Sequence, residues 1–115
     1  MSASAGFSVA MVSGLPVVRG SEEIDIANAG QLRAALLAAA AQGHATIVVD
    51  LGETAFCDTA GLQVLVLAHR RAAAEGGELR LVVRAATLLR LFSITGVDQV
   101  IPVHGKVTET APGPD

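Results

Sequence analysis

The order of hydrophobic and polar positions along the chain predicts alternating strands and helices. Residues 46–51 contain Ile47, Val48 and Val49 in a row, and such a continuous β-branched run is typical of a strand buried on both faces of a parallel sheet. Residues 79–83 predict a second such strand, and residues 100–103 favour a last short one. Residues 7–12 and 15–19, which are separated by a Ser-Gly pair, predict a hairpin at the start of the chain.

Helical spacing of apolar residues fills the intervals between these strands. A first helix is expected to begin at Asn28, because Gln31 follows three residues later as in a capping box, and to end near Gly43. A second helix is expected from about residue 59 to 75, and a short third one over residues 86–94. Strands that alternate with helices imply right-handed βαβ crossovers. The predicted fold is therefore a single α/β domain with a mostly parallel, mixed sheet and helices packed on it.

Composition and charge restrict the class of protein. The chain has 115 residues, of which 51% are hydrophobic, so one domain with a real core is expected. The net charge is -3 and the sequence has no basic patch or zinc-finger spacing, which argues against nucleic-acid binding. The first residues lack the pattern of a signal peptide, and the longest uncharged apolar run, residues 34–41, is too short to span a bilayer. We therefore expect a cytoplasmic protein without membrane insertion.

The segment with the most chemical information lies between the most buried predicted strand and the longest predicted helix. It presents a carboxylate, Asp58, a hydroxyl, Thr59, and a glycine, Gly61, within four residues. The carboxyl ends of parallel strands form the usual functional edge of such sheets. A phosphate on Thr59 would meet the free N–H groups of the helix start. Equally, Asp58 or Thr59 could simply cap the helix, and Gly61 could simply allow close packing.

Residues 58–62, Asp-Thr-Ala-Gly-Leu, resemble the Asp-Ser/Thr-x-Gly-Leu signature of the STAS family, in particular of bacterial anti-sigma-factor antagonists. The resemblance continues at residues 23–25, 75–79 and 89–97, and it spans residues 7–103. It implies a STAS-like domain over residues 1–107. The remaining residues, 108–115, contain two prolines and no apolar periodicity, and we expect them to form a flexible tail.

The resemblance also implies a mechanism of regulation. Thr59 corresponds to the family's phosphorylation site, and Asp25 and Asp58 to residues near it. The expected partner is an anti-sigma factor that is itself a serine/threonine kinase. It binds the unphosphorylated antagonist, releases it on phosphorylation, and a phosphatase reverses the modification. No cofactor and no metal are expected, and the alternative role is that of a STAS subunit in a lipid-transport ABC complex.

Other residues bear on partners and on catalysis. Val64 and Leu67 point away from the predicted sheet, so we expect them on a partner-binding surface unless another element covers them. Cys57, the single cysteine, is expected to behave as a buried hydrophobic side chain, and His69 to lie at the edge of the core. The three histidines do not have the spacing of metal ligands. Because the sequence offers no paired acid and base, we do not expect an enzyme.

Overall fold

The structure, a computed structural model, describes residues 6–107, so the predicted tail at residues 108–115 lies outside the described residues. The strands are β1 (Ser8–Val12), β2 (Leu15–Arg19), β3 (Glu23–Ile24), β4 (Ile47–Leu51), β5 (Phe56–Cys57), β6 (Leu79–Val83) and β7 (Val103–His104). The helices are α1 (Ala29–Ala40), α2 (Thr59–Ala74) and α3 (Ala86–Thr95), followed by a short 3-10 turn at Val97–Gln99.

Five of the strands form one mixed sheet in the order β1-β2-β4-β6-β7. The first two make the predicted antiparallel hairpin, and every other neighbouring pair in this sheet is parallel. β4 is the central strand and all five of its residues are buried, including Asp50, as its β-branched run predicts for a strand covered on both faces. The predicted α/β class and the mixed, mostly parallel sheet are confirmed.

A tight turn at Ser13 and Gly14 joins β1 to β2. Ser13 and Gly14 have φ angles of 51° and 85°, and two successive positive φ angles suit the right-handed twist of the flanking strands. Among the described residues β1 pairs only with β2, so it forms an edge of the sheet. All five of its residues are exposed.

All three helices pack on the same face of the sheet. They contribute side chains such as Leu36, Leu65 and Phe92 to one core, which alternate residues of β2, β4 and β6 complete. The opposite face carries a smaller apolar cluster in which Val107 packs against one residue from each of these strands. Because βαβ crossovers on one side place the helix starts at the carboxyl ends of the strands, the predicted functional edge lies at the start of α2.

The prediction of a strand over residues 100–103 is only half right. The backbone N–H groups of Val100 and Ile101 donate to the carbonyl oxygen of Val97, so they close a turn and do not join a ladder. The strand itself is limited to Val103–His104. Ile101 is apolar because its side chain lies in the core, not because it belongs to a strand.

Candidate functional site

Asp58 is the capping residue of α2. Its Oδ1 accepts hydrogen bonds from the backbone N–H groups of Ala60, at 2.9 Å, and Gly61, at 3.2 Å. Its Oδ2 accepts a third one, at 3.2 Å, from the backbone N–H of Ile26 in a loop 32 residues earlier. One carboxylate thus joins the start of the helix to a distant loop. The capping interpretation of Asp58 that the sequence left open is confirmed.

Gly61 is a packing residue that lets α2 approach the small sheet formed by β3 and β5. A Cβ atom at this position would lie 2.6 Å from the Sγ of Cys57 and 2.7 Å from the Cγ2 of Ile24. Both of these side chains are buried, so neither could move aside without disturbing the core. A glycine at this position therefore brings the helix start close to the loop that follows β3.

That loop is organised by Asp25 and Asn28. The Oδ1 of Asp25 accepts from the backbone N–H of Ala27 at 2.9 Å, and the Oδ1 of Asn28 accepts from the backbone N–H of Asp25 at 2.9 Å. The predicted capping box at Asn28 and Gln31 is wrong, because the Asn28 side chain bonds backward into the loop and makes no cap to α1. The Oε1 of Gln31 is buried with no hydrogen-bond partner among the described residues.

Thr59 is the first residue of α2 and is exposed to solvent. Its hydroxyl makes no hydrogen bond to another described residue, in contrast to Thr54, whose buried hydroxyl donates to the carbonyl oxygen of Ser21 at 2.6 Å. In the unmodified protein the N–H groups of Ala60 and Gly61, which we expected to be free to meet a phosphate, already donate to Asp58. Thr59 is therefore a free hydroxyl beside a carboxylate.

Two exposed apolar side chains flank this point, and the sequence analysis did not identify them. Ile26 is 82% exposed and its backbone bonds to Asp58, while Phe56 is 52% exposed and precedes Cys57 in β5. Strand alternation could have indicated Phe56, because a neighbour of the inward-facing Cys57 must point outward. Nothing local indicates Ile26, whose position depends on the contact with Asp58.

Acidic side chains dominate the two segments around Thr59. Residues 20–28 and 52–58 carry five carboxylates and no lysine, arginine or histidine. The five acidic residues are Glu22, Glu23, Asp25, Glu53 and Asp58. Of these, Asp25 and Asp58 lie at the start of α2, so negative charge and the exposed side chain of Ile26 occur together next to Thr59.

The other two predicted partner-binding residues lie elsewhere. Val64 is half-buried and packs against the core, and Leu67 is 57% exposed. Both line a groove between α1 and α2. Leu67 comes eight residues after Thr59, which corresponds to about 12 Å along the helix axis. The structure thus brings Asp25, Asp58 and Thr59 together, with Gly61 beneath them, but it places Val64 and Leu67 on a separate surface.

The other two candidate residues, Cys57 and His69, have roles in packing and in hydrogen bonding within the fold. Burial, and to a smaller extent the charge of Asp58, raise the pKa of the Cys57 thiol from its ordinary value of 9.0 to about 12. The Nδ1 of His69 accepts from the backbone N–H of Leu79 at 3.1 Å, which ties α2 to β6. Within residues 6–107, no group of three or more His, Cys, Asp or Glu side chains is placed to hold a metal ion. None of the described helices is both long and apolar enough to cross a bilayer.

Comparison with known proteins agrees with this architecture. A family model described as "Mlab, STAS domain" matches residues 7–103. The anti-sigma-B factor antagonist of Bacillus subtilis (strain 168) is 36% identical over 84 residues, which cover 73% of this chain and 76% of that protein. An anti-sigma factor antagonist from Mycobacterium paratuberculosis has a solved structure with a TM-score of 0.81 and 28% identity, covering 90% of this chain and 87% of that one.

The structure of the Bacillus cell fate determinant SpoIIAA in its phosphorylated form is also similar in fold, with a TM-score of 0.69 and 23% identity, covering 91% of this chain and 96% of that one. Fold and site together define a small α/β domain that presents a free hydroxyl beside a helix-capping aspartate at the carboxyl ends of its strands. This chain belongs to the STAS family.

Proposed function

We propose that this protein is an anti-sigma factor antagonist that is switched by phosphorylation of Thr59. In the unmodified form it binds an anti-sigma factor that is also a serine/threonine kinase. Phosphorylation ends the binding and a phosphatase restores it. The names of the relatives support this role, since one antagonises an anti-sigma-B factor and another, SpoIIAA, has a phosphorylated form. The protein acts as a binding partner and not as an enzyme.

The observation that carries the proposal is the exposed, unbonded hydroxyl of Thr59 at the start of α2. A kinase transfers the γ-phosphoryl group of ATP to a hydroxyl oxygen, which loses its proton and must enter the active site of the kinase. Thr59 can do so without breaking a hydrogen bond of the fold. The cap of the helix depends on the neighbouring Asp58, so the modification leaves the helix start in place.

The switch itself is electrostatic. A phosphothreonine adds about -1.5 to -2 charges at neutral pH. At Thr59 this charge joins the capping carboxylate of Asp58 and two acidic segments, and the N–H groups of Ala60 and Gly61 already donate to Asp58. A partner surface that fits a neutral hydroxyl flanked by Ile26 and Phe56 would have to desolvate a dianion. Such a mismatch costs several kcal/mol, which corresponds to a loss of affinity by orders of magnitude.

The test is a binding titration against the cognate kinase. Thr59→Ala is expected to bind like the wild type, Thr59→Glu at least tenfold more weakly, and the phosphorylated protein more weakly still. Thr95→Glu is the matched control, because Thr95 is an exposed threonine at the end of α3, and it should bind like the wild type. Equal affinity of the wild type, Thr59→Glu and the phosphorylated protein would refute the switch.

We assign Asp25 and Asp58 to the positioning of this surface, and Gly61 to the packing beneath it. Asp25→Ala is expected to weaken phosphorylation or kinase binding while the chain still folds, because the Asp25 side chain orders the loop that presents Ile26. Unchanged phosphorylation and binding would reduce Asp25 to a solvated turn residue. We assign Val64 and Leu67 to a second contact surface, the groove between α1 and α2.

The alternative role as a STAS subunit of a lipid-transport ABC complex is tested by co-purification of the tagged full-length chain. A kinase partner supports the antagonist role. A membrane transporter with its ATPase supports the alternative. In that case Thr59→Glu would change assembly of the transporter and not the binding of a kinase.

A further inference from the structure

A groove of about 790 Å³ runs between α1 and α2, and its lining includes none of Asp25, Asp58 and Thr59. Its base is formed by buried side chains such as Leu36 and Ile47, and Val64 and Leu67 form one wall. The groove is open, since Leu67 is 57% exposed at its lip. An open apolar groove of this size on a small domain is typical of a binding surface.

The charges around the groove have one predominant sign. Neither α1 nor α2 contains an aspartate or glutamate, although the whole chain has a net charge of -3. Arg33, the single charged residue of α1, and Arg71 of α2 both line the groove and are exposed. Neither forms an ion pair with another described residue. His44 also lines the groove. Glu75, just beyond the end of α2, is the one acidic residue among the described residues that line it.

We propose that this groove binds an amphipathic helix of a partner protein, with leucine-type side chains turned into the groove and carboxylates placed opposite Arg33 and Arg71. A helix has a diameter of about 10 Å with its side chains and packs at about 8–10 Å from its neighbours, so it can lie along two adjacent helices and cover Leu67. Opposite charge on the two sides of the contact selects the acidic helix among other amphipathic ones.

Other occupants fit less well. A single acyl chain in an open groove would leave much of its own surface and Leu67 in water. A second copy that met the groove through its own α1 or α2 would bring the same positive charge, so like charges would face each other. Residues 108–115 contain two prolines and lack the apolar spacing of a helix that could fill the groove.

The inference goes beyond the proposed function, because the helix need not belong to the kinase. Arg71 comes twelve residues after Thr59, which corresponds to about 18 Å along the helix axis. This exceeds the Debye length of about 8 Å at physiological ionic strength, and exposed charges farther apart than that are largely screened. Phosphorylation of Thr59 should therefore leave the groove able to bind the helix, and a second partner could stay bound while the kinase is released.

The experiment titrates the full-length, isotope-labelled protein with a designed helical peptide of 16 residues. The peptide carries leucines at helical positions i, i+3, i+4 and i+7 and glutamates beside them, and a second peptide has lysine at every glutamate position. We expect amide NMR shifts confined to the groove, and at least tenfold weaker binding of the lysine peptide. Arg33→Glu and Arg71→Glu should each weaken binding of the glutamate peptide about three- to tenfold.

Three controls make the result specific. Arg90→Glu changes an exposed arginine of α3 outside the groove and should leave peptide affinity unchanged. Leu67→Ser should weaken the peptide without a large fall in melting temperature, since the side chain is mostly exposed. Thr59→Glu should bind the peptide like the wild type, whether or not the kinase titration supports the switch.

Several outcomes would overturn the inference. It fails if the amide NMR signals of groove residues do not shift at millimolar peptide, or if the two peptides bind equally. It also fails if Arg33→Glu and Arg71→Glu bind the glutamate peptide as tightly as the wild type. Groove shifts produced more strongly by sodium decanoate than by the peptide would identify a small anionic amphiphile as the occupant. Self-association of the protein that Leu67→Ser abolishes would identify a second copy.

Discussion

Asp58 combines two structural tasks in one side chain, since its two oxygens hold the start of α2 and the backbone of Ile26. These contacts hold the start of α2 in place, so the exposed Thr59 that follows Asp58 lies on a fixed helix start. The same contacts make Asp58 a test of how much stability the site contributes.

Asp58→Ala should lower the free energy of unfolding by about 1–2 kcal/mol, because it removes the side-chain cap of α2. Asp58→Asn should cost less, since the amide oxygen can still accept from the helix. Urea denaturation measures both. Asp98→Ala, at an exposed aspartate without a capping role, should stay within about 0.5 kcal/mol of the wild type. A wild-type unfolding curve for Asp58→Ala would contradict the assigned role.

Cys57 should react slowly with iodoacetamide in the folded protein at pH 8, because burial raises its pKa to about 12 and the thiolate is the reactive form. Unfolding in urea should restore the rate of an ordinary thiol. The pKa of this thiol is higher in the folded state than in the unfolded state. Its contribution to the free energy of unfolding is therefore fully present below pH 9 and is lost as the pH rises toward 12. Cys57→Ala should therefore flatten the decline of unfolding free energy in this range. A native thiol that reacts as fast as the unfolded one would contradict this.

At the scale of elements, the contact of α2 with β3 and β5 depends on the missing side chain of Gly61. Gly61→Ala should lower the free energy of unfolding by about 1–3 kcal/mol, because its Cβ would overlap Cys57 and Ile24. Gly30→Ala is the matched helical control, since its Cβ would meet nothing within 4 Å. That variant should gain about 0.5 kcal/mol from helix propensity. Thermal or urea unfolding of both proteins measures the contrast, and an equal effect at the two glycines would refute it.

The elements that the sequence predicted well are those whose side-chain pattern is dictated by burial. β4 and β6 are covered on both faces and consist mostly of apolar residues, and α2 has them at helical spacing, so these elements lie within a residue or two of their predicted bounds. β3 and β5 have two residues each, which is too short for any periodicity. Asn28 has the composition of a cap, but the nearby N–H of Asp25 competes for its oxygen, and only the folded loop decides between them.

The candidate site also has residues that a local sequence motif predicts and residues that depend on contacts between distant parts of the chain. The local motif around Thr59 was sufficient to place a hydroxyl and a carboxylate at a helix start. The exposed side chain of Ile26 could not be predicted, because its backbone bond to Asp58 joins residues 32 positions apart. Leu67 was correctly expected on the outside of α2, whereas Val64 is half-buried and packs against the core. Both line the groove beside α1 and not the surface around Thr59.

At the scale of the whole molecule, charge is segregated. Residues 20–28 and 52–58 carry five carboxylates, whereas α1 and α2 themselves carry only basic charged side chains. A chain with a net charge of -3 therefore presents two surfaces of opposite sign. Each surface can select a partner of complementary charge, and binding at both should weaken as salt is added.

The uncharged edge strand β1 has a consequence for the behaviour of the protein in concentrated solution. Edge strands are often protected from edge-to-edge pairing by lysine, proline or a bulge, but β1 has the sequence Ser-Val-Ala-Met-Val and exposes Val9, Met11 and Val12. We expect slow aggregation on storage through this edge. Met11→Lys should slow the growth of light scattering over days without lowering the melting temperature, whereas Ile94→Lys, at an exposed apolar position on α3, should not. Equal aggregation of the wild type and Met11→Lys would show that solubility is limited at another surface.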